Sequence, residues 1–289
     1  LVIVWGNGGK EGSDDSYFAK KFGVKLKIVQ MDDFDGATSY WKENENALRF
    51  CTLDSYPVEA SGSGTMTDAR YFVIHNFSAG ADAIGATKNI KTVADLKGKK
   101  IVCSEGTASH SLLLNTLDAA GLTGNDVTII TTGYGADVAT AFKAGTADAA
   151  VVFCPDDDAC IKDGPAGTHV LVSTKQTNTL VTDGFLAHST WLEKNPKKAA
   201  KIAEALMWAN SEMSKPEVYK EICGVFSKEF DVPLEDVLTV GEKINFATLD
   251  DNINWFGLNT DYKGITGETL YTKMSQVYGS LGLAKATLP

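Results

Sequence analysis

Apolar residues along the chain fall into short runs that alternate with longer stretches of mixed polarity. Three runs in the first hundred residues are followed by three similar runs at nearly constant spacing: Val2–Trp5, Leu26–Gln30, Leu48–Thr52, Ile101–Ser104, Val127–Thr131 and Ala149–Phe153. Each run has the length of a buried strand, and the segments between them have the length of helices. The pattern therefore predicts a βαβαβ unit that occurs twice.

Two such units predict an α/β protein with two lobes, each a mostly parallel sheet flanked by helices, with a hinge between them. Beyond residue 183 the pattern changes to long helical segments such as Lys197–Met213. We expect lobe 1 to contain 1–82 and 186–289, including the C-terminal helices, and lobe 2 to contain 83–185. Two chain crossings are typical of a hinge-bending clamp, and ligands bind at the carboxyl ends of parallel strands. A cleft between the lobes is therefore the expected binding site.

Composition narrows the possible partners. The chain has 27 Lys and Arg against 37 Asp and Glu, a net charge of −10, which argues against nucleic acid as a partner. No apolar run approaches the roughly 20 residues that span a bilayer. The first residues already read as a strand, without an initiator Met, so we expect a mature chain from which a leader or lipid anchor has been removed. Such an anchor is the only membrane attachment predicted.

Five cysteines leave the redox compartment open. Cys51 and Cys103 lie in apolar strand patterns and are expected to be buried. Cys154 and Cys160 flank an acidic segment that reads as a loop, where they form either a local disulfide or two free thiols. No histidine lies at ligand spacing from them. We therefore predict no metal site and no cofactor.

The segment after the Ile101–Ser104 strand is the strongest candidate for ligand chemistry. It runs through a small-residue turn into a helix and contains Ser104, Thr107, Ala108 and Ser109. A helix start leaves backbone N–H groups unpaired, with the positive end of the helix dipole behind them. The hydroxyls of Thr107 and Ser109 are expected to add donors to a ligand, and such a site binds sulfonate, carboxylate or phosphate groups. The alternative is that Thr107 or Ser109 simply caps the helix.

Further candidates are residues at strand ends on the expected cleft side. Three carboxylates offer a partner for a cationic or donor-rich ligand end, namely Asp54, Asp82 and Asp183. Three aromatic side chains offer faces for a flat or cationic ligand, namely Trp5, Tyr134 and Phe153. Asn7 belongs to a glycine turn that lets backbone approach a ligand. Hinge hydrogen bonds and core packing are the alternatives for the acids and the aromatics.

Several segments together resemble the solute-binding proteins of ABC importers. They are Ser78–Ile84, Ile90–Lys100, Gly106–Leu114, Phe142–Val151 and Trp191–Pro196. Their order and spacing are similar to type II periplasmic binding proteins of the nitrate/taurine/alkanesulfonate and NMT1/THI5-like group. The resemblance implies a periplasmic or extracytoplasmic monomer, lipid-anchored or free. It also implies capture of a sulfonate, taurine-like or other small anion or zwitterion by hinge closure, and delivery to a permease.

The same fold leaves two other functions open. One is an enzyme of the thiamine-precursor or menaquinone-pathway type, and the other is the sensor domain of a receptor. The four histidines are scattered without the spacing of a catalytic triad. We therefore predict no catalytic residue and a non-catalytic receptor.

Overall fold

The computed structural model describes residues 1–31, 34–62, 66, 68–177 and 179–285. Its α-helices are α1 (Val2–Asn7), α2 (Tyr17–Phe22), α3 (Phe34–Glu43), α4 (Tyr56–Gly62), α5 (Ala108–Ala119), α6 (Ala136–Lys143), α7 (Asp156–Asp163), α8 (Ser189–Lys194), α9 (Pro196–Glu212), α10 (Pro216–Phe230), α11 (Leu234–Glu242), α12 (Leu249–Trp255) and α13 (Gly267–Ser280). Its strands are β1 (Arg49–Thr52), β2 (Ala69–Ser78), β3 (Asp82–Ala86), β4 (Lys100–Cys103), β5 (Thr128–Thr131), β6 (Ala149–Phe153), β7 (His169–Ser173), β8 (Thr182–His188) and β9 (Ile244–Phe246). No described helix is long and apolar enough to cross a membrane.

The first compact unit contains Leu1–Cys51, Ser63–Asn76 and Asp183–Gly267. Its sheet has the strand order β1-β8-β2-β9. Apolar side chains of α1, α2, α9 and α10 pack with Val73 of β2 and Ala187 of β8 in one buried core. Burial of this apolar surface is the main stabilising contribution to the unit.

The second compact unit contains Thr52–Gly62, Phe77–Thr182 and Glu268–Pro289. Its sheet has the order β5-β4-β6-β3-β7. Strand β4 is parallel to β5 and β6, whereas β3 is antiparallel to β6 and β7. Side chains of α6 and α7 pack with β4 and β6, and α5 contacts β3 and β6. The central strands are therefore buried by helices, which explains their continuous apolar runs.

The strands of the second unit agree with the sequence pattern. The predicted runs at Ile101–Ser104, Val127–Thr131 and Ala149–Phe153 correspond to β4, β5 and β6, each within one residue. Helix α5 ends at Ala119, two residues before Gly121, which adopts a left-handed φ of 71° and whose N–H donates to the Asp118 carbonyl. These three strand predictions are confirmed.

Two strand predictions in the first unit are wrong. Val2–Trp5 lies in α1, which ends where Gly8 adopts a left-handed φ of 71°. A short apolar run is compatible with a buried helix as well as with a strand, and Val2, Val4 and Trp5 are all buried. Only the third predicted run, Leu48–Thr52, becomes a strand, β1. The predicted repeat is thus incomplete in the first unit.

The predicted strand Leu26–Gln30 has no regular secondary structure and lies outside both sheets. The Ile28 N–H donates to the Lys10 carbonyl over 2.7 Å, whereas the backbone of Leu26 is paired by a side chain. The Asn7 amide donates to the Leu26 carbonyl over 2.8 Å, and its oxygen accepts from the Leu26 N–H over 2.9 Å. The same amide also donates to the Gly9 carbonyl. Asn7 therefore replaces a neighbouring strand at this position.

We expect Asn7→Ala to destabilise the protein by about 1–3 kcal/mol, because it leaves the Leu26 N–H and carbonyl without their partner. The measurement is chemical denaturation monitored by circular dichroism. Asn44→Ala is the matched control, since Asn44 is exposed and its side-chain amide donates only a local hydrogen bond, to the Tyr40 carbonyl. Its expected cost is below about 0.5 kcal/mol. Equal costs for the two variants would contradict the proposed role of Asn7.

The compact units differ from the predicted lobes at two places. The structure groups Thr52–Gly62 and Glu268–Pro289 with the second unit, whereas the prediction placed both in lobe 1. The C-terminal helix α13 belongs there because its Tyr278 hydroxyl is hydrogen-bonded to Ser111 of α5. Near the middle of the chain, the unit boundaries after Asn76 and Thr182 lie within a few residues of the predicted crossings.

All five cysteines are buried thiols that are not in disulfide bonds. Burial of Cys51 and Cys103 agrees with the prediction. The acidic segment between Cys154 and Cys160 is not a loop but the start of α7. Asp residues in a first helical turn interact favourably with the helix dipole, which explains why this acidic run is helical. Of the two states left open by the sequence, the structure shows thiols that are not joined by a disulfide.

Candidate functional site

Seven candidate residues lie together in the second unit, along the edge formed by the carboxyl ends of β4, β5 and β6. Ser104 follows β4, Tyr134 follows β5 and Phe153 ends β6. Asp82 begins β3 and stands opposite Phe153 in the antiparallel register. Thr107, Ala108 and Ser109 begin α5. This edge is where parallel sheets bind ligands.

The turn into α5 has a fixed shape. Gly106 adopts a left-handed φ of 75°, and a Cβ atom there would lie 3.2 Å from the Val58 side chain. Thr107 is the N-cap residue, but its hydroxyl donates to the Ser104 carbonyl over 2.8 Å and does not cap the helix. The first-turn amides of α5 are therefore left without a side-chain cap.

The start of α5 is suited to bind an anion. The amides of Ala108, Ser109 and His110 precede the first i→i−4 hydrogen bond of the helix, which the Ser111 N–H donates to the Thr107 carbonyl. The first turn contains no acidic residue, and the twelve-residue helix directs its positive dipole end toward this turn. Backbone amides and dipole together favour a negatively charged group.

His110 holds the turn in place. Its Nδ1 accepts a hydrogen bond from the Gly106 N–H over 3.1 Å, and its ring meets that of Tyr278 edge-on at 5.4 Å. Burial lowers the pKa of His110 to about 4. The imidazole is therefore neutral at physiological pH and serves as an acceptor for the backbone.

Asp82 is buried, and each of its carboxyl oxygens has a hydrogen-bond donor. It accepts hydrogen bonds from the hydroxyls of Ser78, over 2.9 Å, and Ser109, over 3.0 Å. Thr174 extends this network by a 2.8 Å contact to the Ser78 hydroxyl. Burial raises the pKa of Asp82 to about 6, although the two serine hydrogen bonds oppose the increase. Because Ser109 donates to Asp82, its hydroxyl proton is already used within the protein.

Asp54 is also fully buried, but its surroundings differ. Neither carboxylate oxygen has a hydrogen bond of standard geometry with a described residue. Burial raises the pKa of Asp54 to about 7; the nearby Ser111 hydroxyl opposes this increase and the Asp82 charge adds to it. The Ser111 hydroxyl is in turn 2.7 Å from the Tyr278 hydroxyl.

The other three candidates belong to the first unit. The Trp5 indole stacks on Trp208 at 5.5 Å and donates to Glu221 over 2.8 Å. It is 6% exposed and part of the core. This agrees with core packing, the alternative to ligand binding for the aromatic candidates. Asn7 is occupied by backbone hydrogen bonds, and Asp183 lies half-buried on β8. The structure therefore does not group these residues with the α5 turn.

Four residues of the site were missed by sequence reasoning: Ser78, Ser111, Thr174 and Tyr278. Ser78 and Ser111 lie within two of the segments that carry the family resemblance, which is the one signal that pointed to them. Thr174 and Tyr278 are far from their partners along the chain. No group of three or more metal-ligating side chains occurs among the described residues.

The fold is that of the type II periplasmic binding proteins, which confirms the predicted α/β fold class. Residues 13–217 match the family model described as NMT1/THI5 like. The match covers well over half of the chain. The chain belongs to this family.

Individual relatives indicate the kinds of protein that share the sequence and the fold. A relative from Escherichia coli (strain K12), named for binding aliphatic sulfonates, is 35% identical over 148 residues, which are 50% of this chain and 44% of that protein. The matched stretch thus spans less than half of that relative. The crystal structure of the periplasmic aliphatic sulphonate binding protein SsuA from Escherichia coli has a TM-score of 0.72 at 21% identity, covering 94% of this chain and 88% of that one.

Two further structures show the range of the fold. The periplasmic nitrate-binding protein NrtA from Synechocystis PCC 6803 has a TM-score of 0.67 at 14% identity, covering 99% of this chain and 79% of that one. The desulfurization enzyme DszB has a TM-score of 0.59 at 13% identity, covering 98% and 90%. Proteins with this fold therefore include binding proteins and at least one enzyme.

Proposed function

We propose that this chain is the solute-binding protein of an ABC importer and that it captures a small organic sulfonate at the first turn of α5. The observation that carries the proposal is the uncapped start of α5, whose amides precede the first helical hydrogen bond. A sulfonate offers three oxygen acceptors and a single negative charge, which suit a cluster of N–H donors at a helix start. The relative named for aliphatic sulfonates supports this ligand class.

The geometry favours backbone recognition over the hydroxyl donors expected from the sequence. The hydroxyls of Thr107 and Ser109 donate to Ser104 and Asp82, so they are not available to donate to a ligand. Phe153 and the exposed Tyr134 lie at the same edge of the sheet and offer apolar surface for the organic part. A small sulfonate, with or without an amino group, fits this arrangement.

The role we propose is non-catalytic. The partner is an ABC permease, the location is extracytoplasmic, and the protein acts as a monomer. The names of the sulfonate- and nitrate-binding relatives, two of them periplasmic, support solute binding and the extracytoplasmic location; the permease partner follows from that role, and the monomeric state stays a prediction from the sequence. His110, the histidine nearest the α5 turn, is neutral and committed to the Gly106 amide, so it is not positioned as a general base. Hinge closure and a lipid anchor stay predictions from the sequence.

The test is a thermal-shift and native mass spectrometry screen with ethanesulfonate, taurine, nitrate and a pyrimidine. We expect ethanesulfonate to raise the unfolding temperature, since a ligand at 100 times its Kd stabilises the folded state by about 2.7 kcal/mol. It should be recovered chemically unchanged. Ethyl methyl sulfone is the matched control, because it has the same sulfonyl geometry without the charge.

Two outcomes would contradict the proposal. An equal effect of the neutral sulfone would show that the charge is not recognised. Conversion of the sulfonate during incubation would favour the enzyme alternative, for which DszB shows that the fold is suitable.

A further inference from the structure

Two buried carboxyl groups lie next to serine side chains in the first two turns of α5. Asp82 of β3 accepts a hydrogen bond from Ser109 in the first turn. Asp54, in the turn after β1, lies next to the Ser111 hydroxyl of the same helix. Both side chains are fully buried. An anion held by the α5 amides would therefore be placed near two acidic groups within the same unit.

The two carboxyl groups differ in how well their charge is compensated. Asp82 has the Ser78 and Ser109 hydroxyls as donors, which stabilise a carboxylate. Neither oxygen of Asp54 has a hydrogen bond of standard geometry with a described residue. The Ser111 hydroxyl and the Asp54 and Thr182 amides lower its pKa, but burial outweighs them, so an ionised Asp54 is the less well compensated of the two charges. Two like charges at close range in a buried site do not both ionise readily. Asp54 is thus the member of the pair that holds a proton.

We propose that Asp54 determines the anion affinity of the α5 site, because binding of a sulfonate there is coupled to uptake of one proton by Asp54. A bound anion repels an ionised Asp54 near the start of α5. Protonation of Asp54 removes this repulsion. By linkage, the proton and the anion then increase each other's affinity by the same factor. This inference rests on the proposed function, since it requires an anion at α5.

The groups around Asp54 come from four elements. Ser111 belongs to α5, Tyr278 to α13 and Asp82 to β3, while the Thr182 backbone amide belongs to β8. Burial raises the pKa of Tyr278 well above its ordinary value, so this group stays neutral. His110 has a pKa near 4. The site groups that titrate between pH 6 and 8 are therefore the two carboxyls, with pKa values of about 7 and about 6.

The sign of the pH dependence follows from these values. As the pH rises through 7, Asp54 loses its proton and becomes negatively charged. The sulfonate then binds more weakly, because the two negative charges repel each other. Sulfonates do not titrate in this range, so the ligand itself contributes no pH dependence. A raised carboxyl pKa also means that the stability contributed by protonated Asp54 is fully present at low pH and is lost as the pH rises through about 7.

The experiment is isothermal titration calorimetry of the full chain with ethanesulfonate at pH 6 and pH 8. We expect the Kd to be about tenfold higher at pH 8 than at pH 6. This is the largest change that one proton with a pKa near 7 can produce between these pH values. Repeating the pH 8 titration in buffers of different ionisation enthalpy should show uptake approaching one proton per ligand. A Kd that is the same at both pH values would overturn the inference while leaving the proposed function intact.

Single-residue variants test whether Asp54 is the group that takes up the proton when the sulfonate binds. Asp54→Asn should no longer show an affinity midpoint near pH 7, because the neutral amide does not titrate, and any remaining change in Kd should follow Asp82, with its midpoint near pH 6. Asp163→Asn is the matched control, an exposed aspartate of the same unit, and should retain the midpoint near pH 7. A midpoint that stays near pH 7 in Asp54→Asn would refute the assignment.

Ser111→Ala provides a second test should the asparagine variant not fold. The Ser111 hydroxyl lowers the pKa of Asp54, so its removal should move the midpoint of the affinity change to higher pH. An unchanged midpoint would count against the coupling. Absence of ethanesulfonate binding to the unmodified protein at every pH would overturn the proposed function, and this inference with it.

Discussion

Ala108→Asp is expected to abolish sulfonate binding without loss of the fold. Ala108 is the first residue of α5 and is half-buried. A carboxylate at this position interacts favourably with the helix dipole, by about 0.3–1 kcal/mol, so stability should not fall. It would also compete for the first-turn amides and repel an anionic ligand. Juxtaposed like charges cost several kcal/mol, which corresponds to a loss of affinity on the order of a hundredfold or more.

Ala108→Asn is the matched control for this result. It has nearly the same shape as aspartate without the charge, so it separates crowding from electrostatics. We expect it to weaken ethanesulfonate binding by less than about tenfold, or 1.4 kcal/mol. Calorimetry on both variants, with circular dichroism to verify the fold, provides the measurement. Binding to Ala108→Asp within a few-fold of the unmodified chain would show that the sulfonate is held elsewhere.

The sequence was most informative where structure is decided locally. The runs that became β4, β5 and β6 are apolar because helices cover the sheet, so their position is visible in the pattern alone. The turn before α5 was predictable for the same reason, since its hydrogen bonds join residues three or four positions apart, Thr107 to Ser104 and Gly106 to His110. Its role as an anion site remains a proposal.

Elements that depend on distant partners were misread. The apolar run Val2–Trp5 has no local feature that separates a strand from a buried helix, and its packing with α9 and α10 decides the outcome. The backbone of Leu26 is paired by the Asn7 side chain, which no strand pattern encodes. Local periodicity therefore predicted the second unit better than the first.

Contacts between residues distant in sequence also limited the prediction of the candidate site. Thr107 and Ser109 were predicted as donors to a ligand, but their hydroxyls donate to Ser104 and Asp82. Tyr278 was not predicted at all, because its contact with Ser111 joins residues 167 positions apart. Burial, which gives Asp54 its unusual pKa, is likewise a property of the folded unit and not of the residues around it in sequence.

Tyr278→Ala is expected to give the largest loss of stability of the variants considered. The side chain is fully buried in the second unit, its ring packs against His110, and its hydroxyl bonds to Ser111. Replacing a buried aromatic residue by alanine costs about 3–5 kcal/mol, from lost burial and the cavity that remains. We expect the midpoint of chemical denaturation of this unit to fall accordingly. Tyr40→Ala, at a side chain that is 37% exposed, should cost less than about 0.5 kcal/mol.

Tyr278→Phe separates the hydroxyl from the packing. It keeps the ring against His110 but removes the contacts of the hydroxyl with Ser111, at 2.7 Å, and the Thr107 carbonyl, at 3.3 Å. We expect a stability loss of about 0.5–1.5 kcal/mol and weaker ethanesulfonate binding, because the Thr107 carbonyl belongs to the turn that presents the α5 amides. Unchanged affinity in this variant would show that the turn is fixed by His110 and Gly106 without help from α13. A loss as large as that of Tyr278→Ala would instead mean that the buried hydroxyl network, and not the ring, holds α13 in the second unit.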